Sequence, residues 1–268
     1  QLLSSELPTA PQTVEVEQFQ QADTNRVLAI RWDIGGKGIN VARALKELGY
    51  EALASGFAPG PGGRMIEDQL SDSGIGCDFV YIPGDTRTNI TILERSTHTH
   101  TQLALSGPTL PADAPGQLLD RLRRRVRDTT WLALAGSIPP PGDPQVYIDL
   151  IAMAEERGGR TALDADGPVV EAVLDAGVLP TLLKLNRLEI SRLLHREVQT
   201  ADEVLAGARA IHARGVPYVV VTMSKEGAIA VTPNAEYQVH VPPVEIISAV
   251  GAGDAFLSRL LCGLVREG

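Results

Sequence analysis

A short glycine-rich segment near the C-terminus carries the clearest potential for chemistry in this chain. Gly251, Ala252 and Gly253 precede Asp254, and a strongly apolar run follows over 255–265. If that run is helical, its first backbone N–H groups are unpaired and form an anion pocket beside the carboxylate. Asp254 could then accept the proton of a substrate hydroxyl while the pocket stabilises a phosphoryl group in transfer. The alternative is a tight glycine turn followed by an ordinary first-turn acid.

A second glycine-rich segment lies near the N-terminus. Gly36 and Lys37 follow an extended stretch, and the apolar residues of 41–48 recur at helical spacing. Lys37 is therefore predicted to lie in a glycine turn above the N-terminus of a helix. A further glycine-rich segment, 60–63, is predicted to be a turn that borders a ligand pocket, because its prolines do not fit a dinucleotide-binding fingerprint.

The elements that must position these segments differ between the two halves of the chain. From residue 131 onward, apolar runs at 131–135, 161–163, 181–185 and 218–222 alternate with helical patterns at 145–157, 188–195 and 201–214. This alternation predicts βαβ units and a mostly parallel sheet covered on both faces. In the first half, 13–19 and 89–105 alternate polar and apolar residues, which predicts strands with one face in water. The opening stretch 1–6 is a weak strand, and 244–247 is predicted to be extended.

Composition is typical of an enzyme with one large α/β domain spanning 1–268. Cys77 and Cys262 are the only cysteines, so a disulfide framework or a cysteine-rich metal site is not expected. The formal charge of −9 argues against nucleic-acid binding, and the arginines of 121–127 are predicted to form the exposed face of an amphipathic helix. No apolar run approaches the about 18 residues of a membrane span, and no secretory start is visible. We therefore expect a cytoplasmic protein without membrane contact.

The glycine-rich segments are similar to the two signatures of the ribokinase/PfkB superfamily of sugar kinases. These are Gly35-Gly36-Lys37-Gly38 followed by Asn40, and the Gly-Ala-Gly-Asp segment at 251–254. Segments at 86–89, 136–140, 184–189, 219–222 and 226–227 match as well, so the resemblance covers nearly the whole chain. It implies a ribokinase-like three-layer α/β/α sandwich with a small β-sheet lid over the sugar. Strands within 12–34 and 86–105 would form that lid, which often makes the contact of a homodimer.

The resemblance also implies how the sugar side of the site is built. Gly36 and Asn40 should contact sugar hydroxyls. Lys37, Arg87 and Ser137 match the positions that hold a phosphate already present on the sugar. The N–H groups of 252–254 would form the anion hole for the transferred phosphoryl group.

The nucleotide side is implied in the same way, with ATP and Mg²⁺ as cofactors. Glu189 would help to hold Mg²⁺ and its waters, as the acid of an Asn-x-x-Glu element. Without the resemblance, Glu189 reads more simply as a solvated acid at a helix start. The positions that match contacts to ATP are Lys184, Asn186, Thr222, Ser224 and Gly227.

The leading functional prediction is ATP-dependent phosphorylation of fructose 1-phosphate to fructose 1,6-bisphosphate. Cations at the far end of the sugar pocket are needed only for a phosphorylated sugar. The 39–43 and 86–89 segments are similar to the phosphofructokinase and tagatose-6-phosphate kinase branch. The alternatives are fructose 6-phosphate, tagatose 6-phosphate, an unphosphorylated sugar or nucleoside, or a degenerate pseudokinase that binds nucleotide or sugar phosphate without turnover.

Departures from the family pattern sustain the pseudokinase alternative. Pro11 falls where the branch has an aspartate that binds sugar hydroxyls, and a proline side chain can neither donate nor accept. Leu185 replaces the usual proline, and Ser258-Arg259 replaces a pair of small residues. The chain also ends earlier than family members do and begins with glutamine, so we expect it to be part of a longer protein.

Overall fold

Thirteen strands and eight helices occur within the residues that the computed structural model describes, which are 2–6, 12–97, 99–103, 105–242 and 251–267. The strands are β1 (Leu2–Glu6), β2 (Gln12–Val16), β3 (Val27–Trp32), β4 (Ala52–Pro59), β5 (Gly76–Ile82), β6 (Ile90–Glu94), β7 (Thr99–Leu103), β8 (Trp131–Ala135), β9 (Arg160–Asp164), β10 (Leu182–Asn186), β11 (Tyr218–Thr222), β12 (Ala228–Val231) and β13 (Glu236–Val239). The helices are α1 (Lys37–Glu47), α2 (Gly60–Asp72), α3 (Ala114–Arg125), α4 (Gln145–Glu156), α5 (Gly167–Asp175), α6 (Arg187–Leu193), α7 (Ala201–Ala213) and α8 (Ala252–Glu267). Within these ranges, no helix has both the length and the apolar character needed to cross a membrane.

A nine-stranded sheet forms the centre of the described fold. Its strand order is β13-β12-β11-β10-β9-β8-β1-β4-β5. Neighbouring strands from β11 to β5 pair in parallel, whereas the β11-β12 and β12-β13 pairs are antiparallel. The sheet is thus mostly parallel, as predicted. The weak opening strand β1 is an inner strand of this sheet, between β4 and β8.

Helices cover both faces of this sheet because its inner strands are apolar on both faces. In β8, Trp131 and Ala133 belong to an apolar cluster with residues of α1 and α8. Leu132 and Leu134 belong to a second cluster, which contains residues of α3 to α7. All four side chains are buried. Burial on both faces is what parallel strands require, and it produces the predicted three-layer arrangement.

A second, four-stranded sheet stands apart from the main one and matches the small sheet of the predicted fold. Its order is β3-β2-β6-β7. β2 is antiparallel to β3 and parallel to β6, and β6 and β7 form an antiparallel hairpin, so the segment predicted as extended over 89–105 contains two strands. All six residues of β3 are exposed, including Trp32 at 63%. We call this sheet the lid sheet.

The prediction of a turn at residues 60–63 was wrong, because these residues begin helix α2 directly after β4. Pro61 lies in the first helical turn, where its missing N–H costs no hydrogen bond. A Cβ on Gly62 would lie 2.7 Å from Thr86 Oγ1, and one on Gly63 would lie 2.7 Å from the Ala58 carbonyl carbon. The glycines therefore serve the close packing of α2 rather than a loop.

The arginine-rich face of α3 is partly paired. Leu118 and Leu122 are buried on the opposite face, as the amphipathic pattern predicted. Arg121 and Arg125 both donate to Asp78 of β5, at 2.7 and 3.0 Å. These ion pairs join α3 to the edge strand of the main sheet. The predicted strand at 244–247 and residue 11 lie outside the described residues.

Candidate active site

Polar side chains collect where the parallel strands of the main sheet end. Asp164, Asn186 and Thr222 are the last residues of β9, β10 and β11, and Ser137 follows shortly after β8. The carboxyl ends of neighbouring parallel strands lie at one edge of a sheet, where open α/β sheets bind their ligands. We call this the carboxyl edge. It brings together residues that are far apart in the sequence.

Asp254 lies in the first turn of α8, against the N-terminal part of α1. Its Oδ2 accepts a hydrogen bond from Asn40 Nδ2 at 2.7 Å, and only 7% of the residue is exposed. Burial raises the pKa of Asp254 above the ordinary value of an aspartate, and the hydrogen bond from Asn40 opposes that rise. A carboxylate with a raised pKa, fixed by one hydrogen bond, is well placed to accept a proton.

The glycine segment before Asp254 leaves room for an ammonium group at the start of α8. Gly251 has a φ of 77°, and the first helical hydrogen bond runs from Ala255 N to Gly251 O at 2.9 Å. The N–H groups between these two residues therefore have no partner within the helix. A Cβ on Gly253 would lie 3.0 Å from Lys184 Nζ, so a larger residue would press on the lysine. The helix start and the ammonium form an electropositive pocket suited to an anion.

A buried carboxylate that the sequence analysis missed holds both lysines of the site. Asp164 has no exposed surface, and its Oδ1 and Oδ2 accept from Lys37 Nζ at 3.0 Å and from Lys184 Nζ at 2.7 Å. Burial lowers the pKa of Lys37, but the charge and hydrogen bond of Asp164 outweigh it, so the pKa is raised. An acid at the carboxyl end of a buried strand is the signal that could have identified Asp164 in the sequence.

Arg87 and Ser137 form a separate polar contact. Arg87 lies between β5 and β6, and its Nη1 donates to Ser137 Oγ at 2.9 Å. Arg87 Nε is buried without a hydrogen-bond partner among the described residues, and the same holds for Asn89 Oδ1. Buried polar atoms are nearly always paired, so these two atoms indicate a place for a polar ligand. Asn89 extends the predicted set of site residues.

The three residues predicted to hold the sugar's phosphate do not form one cluster in the structure. Arg87 contacts Ser137, whereas Lys37 contacts Asp164. Gly36, with a φ of 125°, forms the N-cap of α1 and lies next to Lys37 in the chain. The predicted sugar ligand Asn40 is the residue that reaches Asp254. Asn40 therefore links the N-terminal signature to the C-terminal one.

The residues predicted to contact ATP lie along the carboxyl ends of β10 and β11 and in the turn that follows β11. A 3₁₀ turn, Ser224–Glu226, follows Thr222. Ser224 has a φ of 54° and Gly227 a φ of 100°. A Cβ at Gly227 would collide with Val239 O, so only glycine fits there. The turn is thus packed closely against the end of β13.

Glu189 and Asn186 form a capping box at the start of α6. Glu189 N donates to Asn186 Oδ1 at 2.9 Å, and Asn186 N donates to Glu189 Oε2 at 2.7 Å. Glu189 is buried, unlike the solvated acid that the sequence alone suggested. The spacing of these two residues therefore has a structural cause that is independent of any ligand.

These groups together fit the transfer of a phosphoryl group to a hydroxyl. Such a reaction requires a base at the hydroxyl and fixed donors or cations around the phosphoryl oxygens. Asp254 meets the first requirement, and the start of α8 with Lys184 meets the second. Arg87 adds a cation with an unpaired donor for an anionic part of the acceptor.

Comparisons with known proteins agree with this chemistry. Residues 10–268 match the family model described as pfkB family carbohydrate kinase. The chain is 31% identical over 261 residues to the tagatose-6-phosphate kinase of Staphylococcus epidermidis, covering 97% of this chain and 84% of that protein. The crystal structure of phosphofructokinase-2 from Escherichia coli in complex with fructose-6-phosphate has a TM-score of 0.91 and 29% identity, covering 100% of this chain and 87% of that one. A ribokinase of Arabidopsis thaliana shares the fold, with a TM-score of 0.78 and 20% identity over 99% of this chain and 86% of that one.

Proposed function

We propose, since the chain belongs to the pfkB family of carbohydrate kinases, that it transfers the γ-phosphoryl group of ATP to a hydroxyl of a sugar phosphate. The chain is accordingly a phosphotransferase with an alcohol acceptor. The observation that carries the proposal is the placement of Asp254. A buried carboxylate with a raised pKa directly follows Gly253, where an added Cβ would lie 3.0 Å from Lys184 Nζ.

In the proposed reaction, Asp254 takes the proton of the accepting hydroxyl as the hydroxyl oxygen bonds to the γ-phosphorus of ATP. The bond from that phosphorus to ADP breaks, and ADP leaves. Asn40 holds the carboxylate in place through its hydrogen bond. The N–H groups at the start of α8 and the ammonium of Lys184 stabilise the charge on the transferred group. Asp164 fixes that ammonium, because their ion pair is buried and cannot rearrange freely.

The nucleotide is proposed to lie along β10 and β11, with Mg²⁺ on its phosphates. Within the described ranges, no group of three or more His, Cys, Asp or Glu side chains is arranged to hold a metal ion by itself. Mg²⁺ that arrives with nucleotide phosphates needs only one or two carboxylates, often through water, and Glu189 is proposed for that role. When bound, the ion neutralises phosphate charge. Lys184, Asn186, Thr222, Ser224 and Gly227 are the proposed contacts to ATP.

The acceptor is proposed to be a ketohexose phosphate held at its phosphate by Arg87. The contact with Ser137 and the unpaired atoms of Arg87 and Asn89 support this placement. Lys37, beside Gly36, supplies further positive charge on the sugar side. The finer proposal is fructose 1-phosphate, the leading candidate within the branch that the 39–43 and 86–89 segments resemble.

A ketohexose 6-phosphate is the second candidate acceptor. The names of two relatives, a tagatose-6-phosphate kinase and a phosphofructokinase-2 in complex with fructose-6-phosphate, favour it. Both candidates carry a phosphate at one end and a primary hydroxyl at the other. One site with a phosphate clamp and a separate base therefore suits either sugar.

An assay of ATP consumption across a panel of acceptors tests the proposal. The panel is fructose 1-phosphate, fructose 6-phosphate, tagatose 6-phosphate, ribose and adenosine. The proposal expects the highest kcat/KM for fructose 1-phosphate. A higher value for either 6-phosphate would select the second candidate, and a preference for ribose or adenosine would contradict a sugar-phosphate acceptor. ATP binding without turnover on any acceptor would instead mean a pseudokinase.

We further propose that two copies associate through the lid sheet. Leu28, Ile30 and Trp32 alternate along β3, so they share one face, and all three are exposed. One related structure is the tetrameric inhibited form of phosphofructokinase-2 from Escherichia coli, so that relative forms oligomers. A second copy of the same sheet is the occupant that would cover this apolar face. Light scattering should give a dimer for the wild-type chain and a monomer for Leu28→Lys; equal masses would contradict the proposal.

A further inference from the structure

We infer that Arg187 and Glu226 form an ion pair that positions the nucleotide side of the site. Arg187 is the first residue of α6, and Glu226 is the last residue of the 3₁₀ turn after β11. Arg187 Nη1 donates to Glu226 Oε1 at 2.9 Å, and Nη2 donates to Oε2 at 2.7 Å. Two parallel bonds of this kind fix direction as well as distance. Both are assigned as positioning residues through the paired Nη and Oε atoms. Arg187 Nε takes no part in the pair and is buried without a hydrogen-bond partner among the described residues.

The ion pair connects the two segments that follow β10 and β11, which carry the proposed contacts to ATP. Arg187 directly follows Asn186, which is opposite Thr222 in the pairing of β10 and β11. Glu226 lies in the turn just beyond Thr222. The pair therefore crosses the carboxyl ends of two adjacent strands. It ties the helix that carries Glu189 to the turn proposed to contact ATP.

The turn needs support because part of its backbone is in an unfavourable conformation. Ser224 has a φ of 54°, in the left-handed region that residues with a Cβ seldom adopt. Backbone bonds within the turn run from Gly227 N to Ser224 O at 3.1 Å and from Met223 N to Gly227 O at 2.7 Å. Among the described residues, Ser224–Glu226 make two side-chain hydrogen bonds, and both belong to the ion pair. The pair is thus the side-chain link between this turn and α6.

The partial exposure of the pair predicts a local effect. The side chains of Arg187 and Glu226 are 28% and 50% exposed. Ion pairs in contact with solvent contribute little to global stability. The pair should consequently matter for the geometry that ATP meets, while the fold and the sugar side remain as they are.

The test measures MgATP binding by calorimetry and the KM values for ATP and for the sugar phosphate. Glu226→Gln removes the ion pair while keeping the side-chain size, and Arg187→Gln removes it with a shorter neutral side chain. We expect each to weaken MgATP binding by about two- to fivefold, the range for a partly exposed pair. The KM for the sugar phosphate and the unfolding midpoint should stay unchanged. The reversed pair, Arg187→Glu with Glu226→Arg, should restore most of the ATP affinity.

A matched control is available in a second bidentate pair. Arg209 donates to Glu236 through two bonds of 2.6 Å, and this pair joins α7 to β13. Glu236 pairs with Val231, and Val231 pairs with Val219 near the start of β11. The control pair therefore lies near the amino end of β11, whereas the Arg187–Glu226 pair lies at its carboxyl end. Arg209→Gln should leave MgATP binding unchanged.

The inference rests on the proposed function, yet the two can fail separately. Wild-type ATP affinity in Arg187→Gln and Glu226→Gln would overturn the inference alone, provided that the wild-type chain binds ATP and phosphorylates a sugar phosphate. An equal loss in Arg209→Gln would also overturn it. A loss in Arg187→Gln that the reversed pair does not relieve would overturn it by indicating direct contact of Arg187 with ATP. A wild-type chain that neither binds ATP nor phosphorylates any acceptor would overturn both.

Discussion

The carboxyl edge of the main sheet and the lid sheet differ in what they bury and what they expose. The edge buries charged side chains, whereas the lid sheet exposes apolar ones. At the edge, Asp164, Lys184 and Asp254 are buried, and each is held by a hydrogen bond or an ion pair. In the lid sheet, Leu28 and Trp32 are at least half exposed. Buried charges persist only when they are paired in fixed positions, whereas exposed apolar patches mark association surfaces. The comparison supports the two proposals that the chemistry occurs at the carboxyl edge and that two copies associate through the lid sheet.

The largest expected effect comes from removing proton acceptance at the edge. Asp254→Asn keeps the shape of the side chain but cannot take a proton from the acceptor. Since general bases contribute roughly 10²–10⁴-fold, kcat should fall by about that factor while MgATP binding persists. Steady-state kinetics with calorimetry checks both values. Near-normal turnover would contradict the proposal that Asp254 is the base and that the reaction occurs at the carboxyl edge.

Stability should separate the two regions as well. Asp164→Asn leaves the buried ammonium of Lys184 without its counter-ion, which costs about 3–5 kcal/mol for a buried pair. Leu28→Lys, on the exposed lid sheet, should stay within about 0.5 kcal/mol of wild type when both are measured at a protein concentration low enough for monomers. Denaturant unfolding of the three proteins measures the free energies of unfolding. Similar losses of unfolding free energy in the two variants would contradict the distinction between a buried, paired edge and an exposed lid sheet.

A smaller effect is expected at Arg87, on the sugar side. Arg87→Met should weaken binding of the sugar phosphate by about 1.5–3 kcal/mol, the range for a hydrogen bond to a charged group. Binding of the matching unphosphorylated sugar should hardly change. Titration of both ligands into the variant decides the point. Equal losses would mean that Arg87 maintains local structure instead of holding the phosphate.

The smallest expected effect is a shift in pH dependence. Asn40→Ala removes the hydrogen bond that lowers the pKa of Asp254, so that pKa should rise further. The base acts only when it is deprotonated, and activity is therefore lost as the pH falls through this pKa. The acidic limb of the kcat/KM profile should move to higher pH in the variant. A limb that stays in place or moves to lower pH would mean that Asn40 does not control the protonation of Asp254.

Much of the fold could be predicted because the relevant patterns are local. The apolar runs after residue 131 became β8 to β11, since buried parallel strands and amphipathic helices have distinct periodicities. Strand β4 was not predicted, because its small residues resemble neither pattern. Its pairing with β1 and β5 specifies it instead, and such pairing is a tertiary property. The same small residues hid the strand-to-helix junction at residue 60.

Residues of the candidate site could be predicted from the sequence only where they belong to a recognisable motif. The glycine signatures led to Asp254 and Asn40, but not to the 2.7 Å hydrogen bond between them. Asp164 was missed because its role depends on two lysines that are distant in the chain. Arg187 and Glu226 were missed for the same reason. Contacts of this kind follow from strand order, which local patterns do not encode.

Phosphorus NMR of the reaction mixture tests the central claim most directly. The wild-type chain is mixed with MgATP and the sugar phosphate that gives the highest kcat/KM in the acceptor panel, and Asp254→Asn is followed under the same conditions. The account predicts that the wild type forms ADP and the sugar bisphosphate in equal amounts, while the variant forms either product at least about 10²-fold more slowly. Release of ADP and inorganic phosphate without bisphosphate, or equal rates in the two proteins, would contradict it.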